Sequence, residues 1–394
     1  MSALVHNYES LPVVLARGEG AWVHDTSGRR YLDLLAGYSA LSFGHRHPAL
    51  VAAAHTQLDR LTLSSRAFEH PLLEPFADAL TRLTGTERFL PMNTGAEAVE
   101  TAIKAVRRWG YLVRGVPDGE ATIVVASGNF HGRTTTITSF STDPDAHDHF
   151  GPYTPGFRVV PYDNIEAVRA AIDATTVAVL VEPVQGEAGV VVPAPEYLPA
   201  LRALCDATGT MLVLDEVQSG LGRTGTTLAA QLSDVRADLT CLGKALGGGI
   251  LPVSGVVGRA DVLDLLTPGT HGSTFGGNPL ACAVGLAVVG LLAPGDLQER
   301  ARTLGVRLRD GLDELRRAGL LDAVRGVGLW AGVDVPEAWG VTGRVVCEEM
   351  AARGVLAKET HGRTLRLAPP LTIRAEDLDH GIAVLGESLE ALRP

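Results

Sequence analysis

Apolar and polar positions alternate in two rhythms along this chain. Over residues 11–33, short apolar runs (VVLARG, AWVHD, YLDLL) are broken by Arg17-Gly18-Glu19-Gly20 and by the turn between Asp25 and Arg29, which predicts a small β-meander. Continuous apolar runs at 122–126, 177–181 and 211–214 predict strands buried on both faces. Ala98, Ala102, Ile103 and Val106 recur at helical spacing, predicting an amphipathic helix from the Thr94-Gly95-Ala96 turn to about Arg108, and a helix is also predicted over 71–83. The apolar run 280–293 is too short to span a bilayer and contains Gly285 and Gly290. It reads as a core helix that Asn278 can cap, with Pro279 in its first turn.

After about residue 298 the texture changes. A helix rich in Arg, Glu and Leu is predicted to Arg317, then VRGVGLWAGVDV and a helix over 341–353, which together predict a small α+β domain. The organisation expected is an α/β protein in which this small domain follows a larger one.

Composition narrows the partners. With 394 residues, 46% hydrophobic and 20% charged, the chain can bury a large core. A net charge of −11 argues against nucleic acid, which calls for a basic face. Cys205, Cys241, Cys282 and Cys347 show no metal spacing and read as reduced, buried thiols. MSALVHNYES lacks a basic region followed by an apolar one, so a cytoplasmic protein is expected, bound to neither membrane nor metal. His45-x-His47 and His147-x-His149 have no acidic or cysteine ligands beside them in sequence.

The chemistry centres on TCLGKALGGGI, where Lys244 sits among Leu242, Ala245, Leu246 and four glycines. Burial of an ammonium favours the neutral amine that a Schiff-base nucleophile needs, although a lysine of this kind can also snorkel out of an apolar loop. Asp215 closes the apolar run 211–214, where the carboxyl end of a buried strand meets a ligand crevice. A lysine and an acid so placed suit pyridoxal phosphate, which takes a lysine Schiff base and an acidic partner for its ring nitrogen.

The segments NTGAEAVETAIKA, NFHGRTTT, VEPVQGEAGVVVP, LDEVQSGLGRTG, GKALGGG, HGSTFGGNPLA and LRLAPPL follow one another in an order that resembles the class III, ornithine-type, pyridoxal-phosphate-dependent aminotransferases. The resemblance covers nearly the whole chain. It implies a fold-type I architecture: a large cofactor-binding domain over 41–285 built on a mostly parallel mixed sheet with helices on both faces, a small α+β domain over 286–394, and residues 1–40 packing with the small domain.

It further implies that Lys244 and Asp215 are catalytic, and that Thr94, Gly95, Ala96, Phe130, Glu182, Gln218, Ser273 and Thr274 join them in binding the cofactor. Ser273 and Thr274 would reach the partner's cofactor in a homodimer or a dimer of dimers. Tyr8, Tyr38, Arg133, Glu187 and Arg366 would bind substrate, with Glu187 set opposite Arg366. His131 stands where some relatives have a tryptophan, leaving the packing there open. The implied reaction moves the δ-amino group of ornithine to 2-oxoglutarate. Acetylornithine, 4-aminobutyrate and lysine ε-aminotransferases share most of these motifs, and a non-catalytic cofactor-binding protein is the alternative of another class.

Overall fold

The computed structural model describes residues 3–394. The apolar runs form the centre of a seven-stranded sheet with the spatial order Arg88–Met92, Ser254–Gly258, Leu239–Leu242, Met211–Asp215, Thr176–Val181, Thr122–Ala126 and Phe157–Val160. Ser254–Gly258 runs antiparallel to both neighbours, and the other pairings are parallel. Val179, Val181, Leu212 and Leu214 meet the core on one face, while Leu180, Val213 and Val177 meet a second core on the other. This two-sided burial is the reason for the unbroken apolar text, since each such side chain contributes about 1.5–3 kcal/mol relative to exposure.

Helix Gly95–Trp109 lies where its spacing predicts, and a capping box starts it: Thr94 Oγ1 accepts from Glu97 N (3.3 Å) and Glu97 Oε2 from Thr94 N (2.7 Å). Helix Pro279–Leu292 is capped by Asn278, whose side chain accepts from Ala281 N, with Pro279 in the first turn. It packs on Phe76 through Gly285, where a methyl group would come within 2.4 Å of the ring. Among the described residues no single helix is long and apolar enough to cross a membrane. All four cysteines are buried and free.

The expected division at 285/286 needs correction. It falls inside Pro279–Leu292, whose Cys282, Val288 and Leu292 share a core with Leu50, Phe76 and Leu246 of the large unit. The turn at 293–295, ending at Gly295 with φ +86°, separates the packing better. Leu32 and Leu34 of the N-terminal segment lie in one core with Leu304, Leu308, Leu329 and Leu365. Strand Arg30–Asp33 also pairs in parallel with Val355–Leu356, so the early meander and the late α+β segment form one body.

Candidate active site

Strand ends on one side of the large sheet converge on a cavity of about 170 Å³ lined by Gly95, Ala96, Phe130, His131, Glu182, Glu187, Asp215, Val217, Gln218 and Lys244. A larger cavity, about 570 Å³, opens at the opposite ends of the same strands. Its deepest charges are satisfied by one another, because Arg202 and Arg259 both clamp Asp238 at 2.8 Å. The smaller cavity holds the unpaired lysine.

Lys244 starts a short helical turn directly after Leu239–Leu242, with φ +43°, a conformation that costs any residue with a β-carbon about 1–2 kcal/mol. Part of the residue borders the open cavity, yet the amine is enclosed, and burial lowers its pKa against the opposing pull of Glu187 and Asp215. Among the described residues it makes no hydrogen bond or ion pair.

Asp215 is 5% exposed. Its Oδ2 lies 2.7 Å from His131 Nδ1, and its Oδ1 accepts from Val217 N at 3.0 Å. Burial works against a charge on His131, but the bond to Asp215 and the charges of Asp215 and Glu182 carry its pKa upward. Glu182 accepts from Phe130 N (2.9 Å) and Gly186 N (3.3 Å). Burial, with Asp215 nearby, raises its pKa to about 7, although His131 opposes the shift. An acid, a histidine and a second acid therefore form one buried group.

At the far side, Glu187 Oε1 accepts from Arg366 Nη1 (2.5 Å) and from Gln218 Nε2 (3.2 Å). Burial resists the charge on Glu187, but Arg366 and then Lys244 hold its pKa below the usual range. The guanidinium of Arg366 lies 5.1 Å from the centre of the Tyr38 ring. Arg133 is exposed, 5.8 Å from the ring of Phe130.

Residues 3–389, which include every residue of this site, match the model of the family described as Aminotransferase class-III. The chain belongs to the class-III aminotransferases. The ornithine aminotransferase of Bordetella pertussis is 51% identical over 389 residues, covering 99% of this chain and 94% of that protein. A crystal structure of the ornithine aminotransferase from Toxoplasma gondii superposes with a TM-score of 0.96 at 42% identity, over 99% of this chain and 93% of that one. An acetylornithine aminotransferase from Elizabethkingia anophelis superposes with a TM-score of 0.90 at 44% identity, over 98% and 96%.

Class-III aminotransferases use pyridoxal phosphate, and the residues present fit it. The N–H groups of Gly95 and Ala96, in the first turn of a long helix, have no acceptor among the described residues, which suits a phosphate. Gly95 must lack a side chain, since a β-carbon would stand 2.8 Å from Val217, and one at Gly132 would stand 2.7 Å from Ala96 Cβ. The aromatic face of Phe130, the carboxylate of Asp215 and the free amine of Lys244 complete a cradle for a planar, cationic aldehyde.

Most of the residues expected from the sequence line this cavity or touch a residue that does. Thr94 caps the helix rather than lining the space. Ser273 Oγ accepts from Asn93 Nδ2 (2.9 Å), next to Thr94, while Thr274 is exposed. Tyr8 is 68% exposed. His131, Gly132, Val184, Val217 and Ser219 also line the cavity without a role expected from the sequence. His131 sits in a motif naming Phe130 and Arg133 more loudly, and Val217 hides between Asp215 and Gln218.

Proposed function

We propose that this aminotransferase moves the δ-amino group of L-ornithine to 2-oxoglutarate, giving glutamate 5-semialdehyde and glutamate. The observation that carries this reading is the pair of half-buried Glu187 and buried Arg366 beside Lys244. A distal amine and an α-keto acid must be accepted in one place. Ornithine needs neutral surroundings for its chain, which Arg366 supplies while Glu187 covers it. 2-Oxoglutarate needs a cation beside its reacting carbon, which Arg366 supplies once Glu187 turns away. Exchanging one charge-assisted contact for another is worth about 1.5–3 kcal/mol, enough to choose between binding modes by tenfold or more.

Pyridoxal phosphate supplies a carbonyl that takes up the amine and a ring that stabilises negative charge on the substrate carbon. Lys244 would hold the cofactor covalently and, when released, would carry a proton on Nζ for the transfer. Asp215 would keep the ring nitrogen protonated, with His131 orienting Asp215, and Gln218 would donate toward the ring's phenolic oxygen. Gly95 and Ala96 would seat the phosphate, with Thr94 capping the helix behind them. Arg133 takes the remote carboxylate of both substrates, and Tyr8 and Tyr38 contact the free α-amino group of ornithine. Two chains would pair so that Ser273 and Thr274 reach the partner's cofactor. The buried free cysteines support a reducing, cytoplasmic setting.

The 44% identity to an acetylornithine aminotransferase keeps that substrate as the competing reading. The test is single-turnover absorbance of the holoenzyme with ornithine or N-acetylornithine and no keto acid. Faster conversion by ornithine is expected, and a preference for N-acetylornithine would overturn the substrate while leaving the family intact.

A further inference from the structure

Behind Arg366, away from Glu187, lies a second cavity of about 10 Å³, lined by Leu35, Tyr38, Ser39, Gln218, Trp330 and Arg366. It has room for one water molecule. Three of its residues carry a buried polar atom with no partner among the described residues: Ser39 Oγ, Gln218 Oε1 and Arg366 Nε. Ser39 is 2% exposed and Arg366 4%. An N–H donor, an amide acceptor and a hydroxyl are what one bridging water satisfies, whereas leaving each unmet costs about 1–3 kcal/mol.

The backbone goes to some trouble to bring Ser39 there. Ala36, Gly37, Tyr38 and Ser39 all have positive φ, from +47° to +72°, and three of them carry a β-carbon. Asp33 Oδ1 holds this turn by accepting from Leu35 N and Ala36 N, both at 2.9 Å. Tyr38 thereby covers the face of Arg366 while the next residue reaches the cavity behind it. Strain of this kind persists only where its surroundings hold it, and here it brings two consecutive side chains to one guanidinium.

We propose that Ser39, Gln218 and Arg366 bind a single buried water, and that Ser39 is thereby a positioning residue which fixes Arg366 when Glu187 leaves it. The inference rests on the Glu187–Arg366 exchange proposed above. With ornithine bound, Glu187 still holds Arg366 and the water adds little. With glutamate or 2-oxoglutarate bound, Glu187 no longer does, so Arg366 keeps its aim only through Tyr38 and the water.

The test compares Ser39→Gly, which suits a positive φ, with Ser39→Ala, which keeps the β-carbon. Half-reactions of the holoenzyme with glutamate and with ornithine are followed separately, beside Arg366→Lys. Both Ser39 variants are expected to weaken apparent glutamate binding by about 2- to 12-fold, the range of one ordinary hydrogen bond, with the maximal rate unchanged and ornithine binding altered less than about twofold. A crystal structure of the wild-type holoenzyme should show density bridging the three atoms, and Ser39→Gly should lose it. Unchanged glutamate binding in both Ser39 variants, with weakened binding in Arg366→Lys, would overturn the water site alone. Unchanged binding in Arg366→Lys would overturn the exchange and this inference together. A glutamate effect in only one Ser39 variant would trace to the backbone and also overturn it, as would wild-type density with no water there.

Discussion

Around Asp215 the charged groups are locked, and around Arg366 they are poised. Asp215, His131 and Glu182 are all buried, and both carboxylates take their hydrogen bonds from rigid donors: backbone N–H groups and a fully enclosed imidazole. Glu187, by contrast, is held only by flexible side chains, Arg366 and Gln218, at its carboxylate, and lies on the loop after strand Thr176–Val181. The first region can present one charge in one place, as a ring that never changes requires. The second can lose its acid without moving its backbone, as two different substrates require. Under the proposed function, donor rigidity would separate, within one cavity, the part that holds the cofactor from the part that chooses the substrate.

The largest effect expected is at the lysine between the two regions. Lys244→Ala should retain cofactor non-covalently and lose transamination by about 10³-fold or more, measured by turnover and by the absorbance of bound cofactor. Substantial turnover would remove Lys244 from the centre of the comparison. Next is the locked region. His131→Phe removes the donor to Asp215 while keeping an aromatic ring, and should weaken cofactor binding by roughly 10- to 150-fold, the range of a hydrogen bond to a charged group. Equilibrium dialysis of cofactor reads this directly, and His131→Asn, which can still donate, should recover part of the loss. Equal losses in both would mean the site needs only the ring's packing.

In the poised region, Glu187→Ala should slow the ornithine half-reaction by about 10- to 100-fold while sparing or improving the glutamate one. Equal losses with both amines would show that this acid is as fixed as Asp215. The smallest effect is at the rim. Tyr8→Phe should raise the apparent ornithine constant by about 2- to 12-fold and leave glutamate unchanged, since only the hydroxyl is lost. An unaltered ornithine constant would take Tyr8 out of the substrate end.

Much of this was legible in the sequence. The strands at 122–126, 177–181 and 211–214, the helix beginning at Thr94-Gly95-Ala96 and the capped helix at Asn278-Pro279 follow from periodicity and capping chemistry, which act over a few residues and leave a local record. Lys244 and Asp215 also announce themselves locally, each closing an apolar run. The resemblance carried Glu187 to Arg366 across 179 positions, which no local pattern could do.

The rest belongs to the tertiary structure. The domain edge moved from 285/286 to the turn at 293–295 because Phe76, distant in sequence, packs on Gly285 and binds that helix to the large unit. His131 acquired its partner only when strands Thr122–Ala126 and Met211–Asp215 brought their ends together on opposite sides of Thr176–Val181. Ser39 met Arg366 only through a turn of four left-handed residues. The sequence by itself determined which elements form and which residue types are available for the chemistry, because propensity, periodicity and side-chain type are properties of neighbours. The tertiary structure alone decided which buried polar groups satisfy one another, because hydrogen bonding and desolvation depend on distances that the order of residues does not record.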